Sequence, residues 1–382
     1  MGGELKATFC LIKDGQAILS QHQGDLEHPA ALDDYRKNLT LYGDPFAHAP
    51  AALAADRHPE YLSAKLARER AQSSHLPLVE VQHHHAHVAA CLAENGRPLA
   101  AAPVLGVVLD GLGWGDDGTI WGGELLLADY RGCERLGSLA PVAMPGGAQA
   151  VREPWRNLYA HLARAVGWPE MRQLFGRLAI CDRLAGKPLA TIDRMIAGGV
   201  NAPAASSCGR LFDAVAAAIG LAFDRQAYEG EAAMRLEALA AAAPPSSRPY
   251  PFDVLPRAGR KSAVTPAPGD DAKLWIIDPA PMWGALLHDL AADVPPAIIA
   301  ARFHTGLAAA VSDTAARLAQ RRGADTAALS GGCFQNAVLF DETVRRLEAA
   351  GLAVLTHAAV PANDGGLALG QAAVAAARLL GG

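Results

Sequence analysis

Apolar positions in this chain fall into short runs separated by glycine, proline and acidic residues, and the runs predict strands alternating with helices. The run over residues 7–12 is followed by Lys13-Asp14-Gly15-Gln16 and a second run over 17–20. Two apolar runs about Asp-Gly predict a β-hairpin, because that dipeptide readily takes the positive φ of a tight turn. A polar stretch comes next, then a helical pattern over about 59–71 and a strand over 76–81 that runs into a histidine cluster. Strand runs recur at 104–109 and 120–128; the Gly-rich, acidic segment 110–119 between them reads as a loop. Helical patterns fill 153–199, with Pro154 suited to a first turn, and return at 211–221, 229–242, 282–292 and 298–321. The Pro-, Ser- and Gly-rich stretch 243–271 reads as an irregular excursion. The chain closes with strand 326–329, a Gly-Gly loop, helix 336–350, strand 353–356, loop 361–366 and an Ala-rich helix. Strand–Gly loop–helix units predict an α/β fold. The two hairpin starts predict two lobes, 1–102 and 103–382, with the last helix packing back on the first lobe.

Composition narrows the class. The 382 residues are 51% hydrophobic and 19% charged, as in an ordinary globular protein long enough for two or three domains or lobes. A net charge of −5 offers no basic field for nucleic acid or membrane surface. No apolar run approaches the roughly 18–20 residues of a membrane span. Met1-Gly2-Gly3-Glu4-Leu5-Lys6 lacks the basic stretch and apolar core of a secretory signal. Six scattered cysteines without a C-x-x-C pair predict reduced thiols in a cytoplasmic protein and give no support for a zinc ribbon.

The densest chemistry is His83-His84-His85-Ala86-His87. On a helix His83 and His87 stand one turn apart on one face and can reach one metal ion, while His84 and His85 point elsewhere. Two imidazoles need acidic company. Asp110, at the end of a strand run, and Asp364, in Asn363-Asp364-Gly365-Gly366, are candidates for it, or else ordinary turn and cap residues. Ser330-Gly331-Gly332-Cys333-Phe334-Gln335-Asn336 follows a strand and opens a helix, a setting in which backbone N–H groups meet phosphate. Ser206-Ser207-Cys208-Gly209-Arg210-Leu211-Phe212-Asp213 is a second loop-to-helix candidate, with Arg210 as a cation and Asp213 as a ribose acceptor, or simply a capped helix. Cys333 reads as a small buried thiol in preference to a nucleophile.

Together with Gly3-Glu4-Leu5-Lys6 and Asp110-Gly111-Leu112-Gly113, these runs resemble the hydrogenase-maturation carbamoyltransferase family HypF, in its C-terminal transferase region, over essentially the whole chain. That region is similar to the tRNA threonylcarbamoyl transferases and antibiotic O-carbamoyltransferases, so the resemblance implies a two-lobed α/β fold of the actin/sugar-kinase ATPase type. It further implies a divalent metal, iron or zinc, held by His83, His87, Asp110 and Asp364. ATP or carbamoyl-adenylate would lie between the lobes, lined by Gly209, Arg210, Asp213, Gly331, Gly332 and Asn336. The implied reaction is carbamoyl transfer from carbamoyl-adenylate to the C-terminal cysteine of the partner HypE, on the way to the cyanide ligands of a nickel–iron hydrogenase. No side chain stands out as the base for that thiol. Ala7 stands where the family usually has Asn, and the family's acylphosphatase, zinc-finger and adenylate-forming domains do not occur in these residues, so a separate adenylate-forming domain is an expected partner. Two rivals are a tRNA-modifying transferase, which the net charge does not favour, and a non-catalytic nucleotide-binding docking module, which would have no need of the histidines and aspartates. Neither membrane nor nucleic acid is expected as a partner.

Overall fold

A computed structural model describes residues 1–244, 248–258 and 273–381. Strands β1 (Cys10–Lys13) and β2 (Gln16–Leu19) form the expected antiparallel hairpin, with Asp14 and Gly15 at φ 51° and 76° in its turn. The polar stretch after it holds a helix the pattern did not announce, α1 (Pro29–Gly43). Only Tyr35 and Leu39 of that helix are buried, a stripe too narrow to register as amphipathic periodicity. Next come β3 (Leu53–Asp56), also unpredicted, α2 (Leu62–Ser74) and β4 (Leu78–Val81). Strands β3 and β4 run parallel with Asp56 opposite Val81. Helix α3 (His83–Glu94) begins two residues later, where the Gln82 side chain caps it by accepting from the His85 amide.

The second strand run is longer than its apolar part. Strand β5 (Val104–Trp114) continues through Asp110-Gly111-Leu112-Gly113, which sequence reading took for a loop. It pairs antiparallel with β6 (Ile120–Ala128), with a register slip between Leu109 and Gly113. The glycines follow from what packs on the strand. A Cβ at Gly113 would lie 2.4 Å from His84 Cε1 and 2.6 Å from His83 Cδ2, so the imidazoles occupy the place of a side chain.

Beyond β6 lies β7 (Cys133–Leu139), then a helical region from Ala148 to Gly198 and helix α4 (Cys208–Ala218). Of the expected irregular excursion, residues 245–247 and 259–271 lie outside the described residues; Asp253–Ala258 within it is strand β8, paired antiparallel with β9 (Lys273–Asp278). The long helix α5 (Pro296–Arg322) leads to β10 (Thr326–Ser330), α6 (Ala337–Ala349), β11 (Ala353–Leu355) and α7 (Leu367–Leu380). The main sheet runs β8-β9-β7-β6-β5-β10-β11, with β5, β10 and β11 mutually parallel. This is the mixed α/β class the pattern predicted.

The largest core lies between the sheet and the helices that follow β7, with Tyr159, Phe212, Trp283 and Phe303 fully buried. A second core joins α3 and α7 to the sheet through Val88, Leu92, Val108, Leu126, Leu367 and Val374. Helix α7 also packs on β1, β3 and β4, and Gln371 brackets the Gly2 backbone, accepting from its amide at 2.8 Å and donating to its carbonyl at 3.2 Å. Gly370 makes the close approach possible: a Cβ there would sit 1.8 Å from the Ala86 carbonyl oxygen of α3. Among the described residues no helix is long and apolar enough to cross a membrane.

Candidate metal centre

Three chain segments converge beside the middle of β5, past the ends of β4 and β10. Helix α3 presents His83 and His87, β5 presents Asp110, and the turn before α7, capped by Asn363, presents Asp364. One ligand atom from each of these residues lies within 4.8 Å of all the others. The Nε2 atoms of His83 and His87 are 3.4 and 3.5 Å from Asp110 Oδ2, and each is 3.7 Å from Asp364 Oδ1. Both Nε2 atoms are buried without a hydrogen-bond partner.

That spacing fits an ion. Two ligand atoms of a tetrahedral site with bonds of about 2.1 Å stand about 3.4 Å apart. Imidazole plus carboxylate is also a donor set that suits iron and zinc. The far sides of both rings are engaged. His83 Nδ1–H donates to Asp56 Oδ2 at 2.8 Å, and His87 Nδ1 lies 3.3 Å from Ser330 Oγ. Each ring thus turns its Nε2 toward the carboxylates, the arrangement in which outer partners orient metal-binding imidazoles.

Without a cation the charges answer one another. Burial disfavours charge on His83, yet Asp56, Asp110 and Asp364 outweigh it and hold its pKa well above the usual range. His87 is likewise raised, against burial, by Asp110 and Asp364. Asp110 is buried too, but the two histidines hold it well below the ordinary carboxylate range. His84 goes the other way: burial and then the neighbouring His83 depress it, and its ring lies against Trp121. His85 faces away and bonds the Asp129 carbonyl at 2.6 Å. His84 Nε2 is buried without a hydrogen-bond partner like those of His83 and His87, but both His84 and His85 lie outside the four-residue group.

The Gly-rich loops meet the same centre. Gly332 N–H, an expected phosphate donor, donates instead to Asp110 Oδ1 at 2.9 Å, and Gly331 N–H donates to the Ala362 carbonyl at 2.8 Å. Gly209 lies so close to Gly111 that a Cβ there would come within 3.1 Å of its Cα. Arg210 and Asp213 face one another, Nε to Oδ2 at 2.7 Å, both nearly buried; burial raises the Asp213 pKa against the pull of Arg210. Asn336 caps α6 by accepting from the Leu339 amide, and its Nδ2 is 3.0 Å from His304 Nε2. Of these six residues Gly332 touches Asp110 and Gly209 lies against Gly111, while Arg210, Asp213 and Asn336 are turned to other partners within the protein. The Cys333 thiol is pushed well up by the adjacent Cys208 thiol and by burial, which agrees with a structural and not a nucleophilic cysteine.

Sequence reading missed Asp56, which ends a four-residue strand and carries no motif. It also missed His357 and Glu94, which reach the centre through Ser330, and Lys6 as a side chain of the site. Lys6 Nζ pairs with Glu229 at 2.7 Å; burial opposes its charge, but Glu229, Asp364 and Asp110 hold its pKa up. A cavity of about 370 Å³ bordered by Lys6, Thr8, His22, Asn363 and Gly365 opens beside Asp364.

Comparison with known proteins shows the class to which this mixed-sheet fold belongs, a Kae1-like carbamoyltransferase domain. The family model described as "Carbamoyltransferase, Kae1-like Domain, second subdomain" matches residues 106–371, and "HypF Kae1-like domain" matches 1–94. The chain belongs to the HypF carbamoyltransferase family. It is 45% identical to Carbamoyltransferase HypF of Rhodobacter capsulatus over 379 residues, 99% of this chain and 46% of that protein. It is 39% identical to a Carbamoyltransferase HypF homolog of Cupriavidus necator, covering 98% of this chain and 90% of that one. A crystal structure of full-length HypF in a phosphate- and nucleotide-bound form superposes with a TM-score of 0.86 at 32% identity, over 100% of this chain and 46% of that one. The T. kodakarensis HypF structure gives 0.84 at 30%, over 100% of this chain and 48% of that one. The chain thus spans about half the length of several of these relatives. The family and the α/β fold expected from sequence are both found.

Proposed function

We propose that this chain is a cytoplasmic carbamoyltransferase that moves a carbamoyl group from carbamoyl-adenylate to the C-terminal cysteine thiol of HypE. The observation that carries the reading is the convergence of His83, His87, Asp110 and Asp364, with the buried Nε2 atoms of both histidines left without a hydrogen-bond partner. These four residues would hold iron or zinc. Such an ion supplies Lewis acidity toward a carbonyl or phosphate oxygen. The protein's own part is to orient and to balance charge. Asp56 and Ser330 fix the two imidazoles, and the Gly332 amide fixes Asp110. Lys6 brings a cation to the mouth beside Asp364, where an adenylate phosphate needs one. The buried Arg210–Asp213 pair would open toward phosphate and ribose. The chemistry also requires an activated donor. Free carbamate is a poor electrophile because its anionic oxygen donates into the carbonyl, and adenylation supplies a leaving group.

Mass spectrometry of HypE after incubation with this chain tests the reading. With carbamoyl-adenylate, or with a separate adenylate-forming domain present, the C-terminal cysteine should gain one carbamoyl group. With carbamoyl phosphate and ATP alone it should not. Transfer in the latter mixture would show that activation takes place within these residues.

A further inference from the structure

We infer that Glu94, His357 and Ser330 form a hydrogen-bonded relay that fixes His87 with its Nε2 lone pair toward the centre, making His357 a positioning residue outside the ligand set. The inference rests on the metal-binding reading above. Its basis is a line of four side chains. Glu94 Oε2 is 2.7 Å from His357 Nδ1, His357 Nε2 is 2.9 Å from Ser330 Oγ, and Ser330 Oγ is 3.3 Å from His87 Nδ1.

The direction of the protons follows from the one end that can only accept. Glu94 takes the Ala358, Ala359 and Val360 amides on its other oxygen, and these bonds with His357 keep its pKa low against burial. A carboxylate so placed receives a proton from His357 Nδ1. The Nε2 of neutral His357 then offers a lone pair, which takes the Ser330 hydroxyl proton. Ser330 Oγ, its proton committed, accepts from His87 Nδ1–H. What remains on His87 is the Nε2 lone pair, facing Asp110 and Asp364.

Ser330 has one other acceptor near its hydroxyl, the Ala362 carbonyl at 3.4 Å, so the shorter contact to His357 decides the direction. Without His357 the hydroxyl is free to donate to His87 Nδ1. That reversal puts the His87 proton on Nε2, where it blocks coordination. The relay uses the fold economically: Glu94 lies seven residues after His87, two turns along the same helix, and the chain beyond β11 brings His357 between that helix and Ser330.

Cobalt(II) is the probe, its affinity measured by competition with a chromophoric chelator on the full chain. His357→Leu removes both the acceptor and the donor and should weaken cobalt(II) binding about 10-fold, the low end for an outer partner of a metal ligand. His357→Gln keeps an amide oxygen for Ser330 and an amide N–H for Glu94, and should restore most of the affinity. Ser330→Ala, which breaks the line at its middle, should match the leucine variant, and it serves as the second test if that variant melts early by circular dichroism. Unchanged affinity in folded His357→Leu or Ser330→Ala overturns the relay. So does equal weakening by Leu and Gln, which would make His357 a packing residue. If the unsubstituted chain binds no cobalt(II), the metal reading itself fails and the relay falls with it; binding that His87→Ala abolishes and His357→Leu leaves intact overturns the relay alone.

Discussion

Replacing Asp56 by asparagine should cripple metal binding while leaving the fold in place. Asp56 is fully buried and uses both oxygens: Oδ1 accepts from the His58 amide and Oδ2 from His83 Nδ1, each at 2.8 Å. Asparagine is isosteric but has one acceptor. If its oxygen stays with the His58 amide, its NH2 faces His83 Nδ1, which must then accept, and the imidazole proton moves to Nε2. If its oxygen turns to His83, two N–H donors confront each other across the His58 contact. Either way one hydrogen bond to a charged group is lost in a buried site, about 1.5–3 kcal/mol. At 1.4 kcal/mol per decade this is about 10–100-fold in affinity. That agrees with the range for outer-shell partners of metal-binding histidines. The assay is zinc affinity by chelator competition near neutral pH, with far-UV circular dichroism and a urea melt to establish the fold. An affinity equal to the unsubstituted chain's, in a folded Asp56→Asn variant, would refute the idea that this carboxylate sets the His83 tautomer.

Elemental analysis should find metal lost from His83→Ala and from His87→Ala but retained in His84→Ala, because His84 lies against Gly113 and Trp121 outside the four-ligand group. Calorimetry should show ATP or AMP binding weakened by roughly 1–3 kcal/mol in Asp213→Ala, through loss of a charge-assisted contact. Gly370→Ala, whose new methyl meets the Ala86 carbonyl, should cost about 1–3 kcal/mol in urea denaturation and lower metal affinity as well, since it pushes on the histidine helix. Acid should destabilise the protein below pH ~6.5, where unfolded histidines charge. His85, His161 and His304 are held down to about 4, 3 and 4 by burial, so stability falls as pH drops from 6.5 toward those values. Each contributes about 3–5 kcal/mol at most. His83 and His87, raised in the metal-free protein, act oppositely: their contribution is full below pH ~6.5 and disappears as pH climbs through their folded values. A urea midpoint that stays flat from pH 7 to pH 4 would contradict the acid prediction.

Local pattern was enough where the physics is local. The Asp14-Gly15 hairpin, the strand–Gly loop–helix units and the shared face of His83 and His87 all follow from turn chemistry or a 3.6-residue period, within a few residues of chain. Asp110 and Asp364 were ambiguous on spacing, since an aspartate beside glycine serves turns and caps as readily as metals; motif resemblance singled them out. Helix α1 escaped because its buried stripe is two residues wide, and the glycine-rich part of β5 read as loop because its occupants are imidazoles from another helix. The rest belonged to tertiary structure. Asp56 reaches His83 only because β3 and β4 pair in parallel with Asp56 opposite Val81, and Ser330 reaches His87 only because β10 lies beside β5 with Ser330 opposite Val108. Glu94 and His357 stand 263 residues apart in sequence and 2.7 Å apart in space. Residues that bind a ligand directly leave a chemical signature in the sequence, because their type and spacing are constrained by the ligand. Residues that orient them need only an oxygen or nitrogen at the right point, and which part of the chain supplies it is decided by strand order and register.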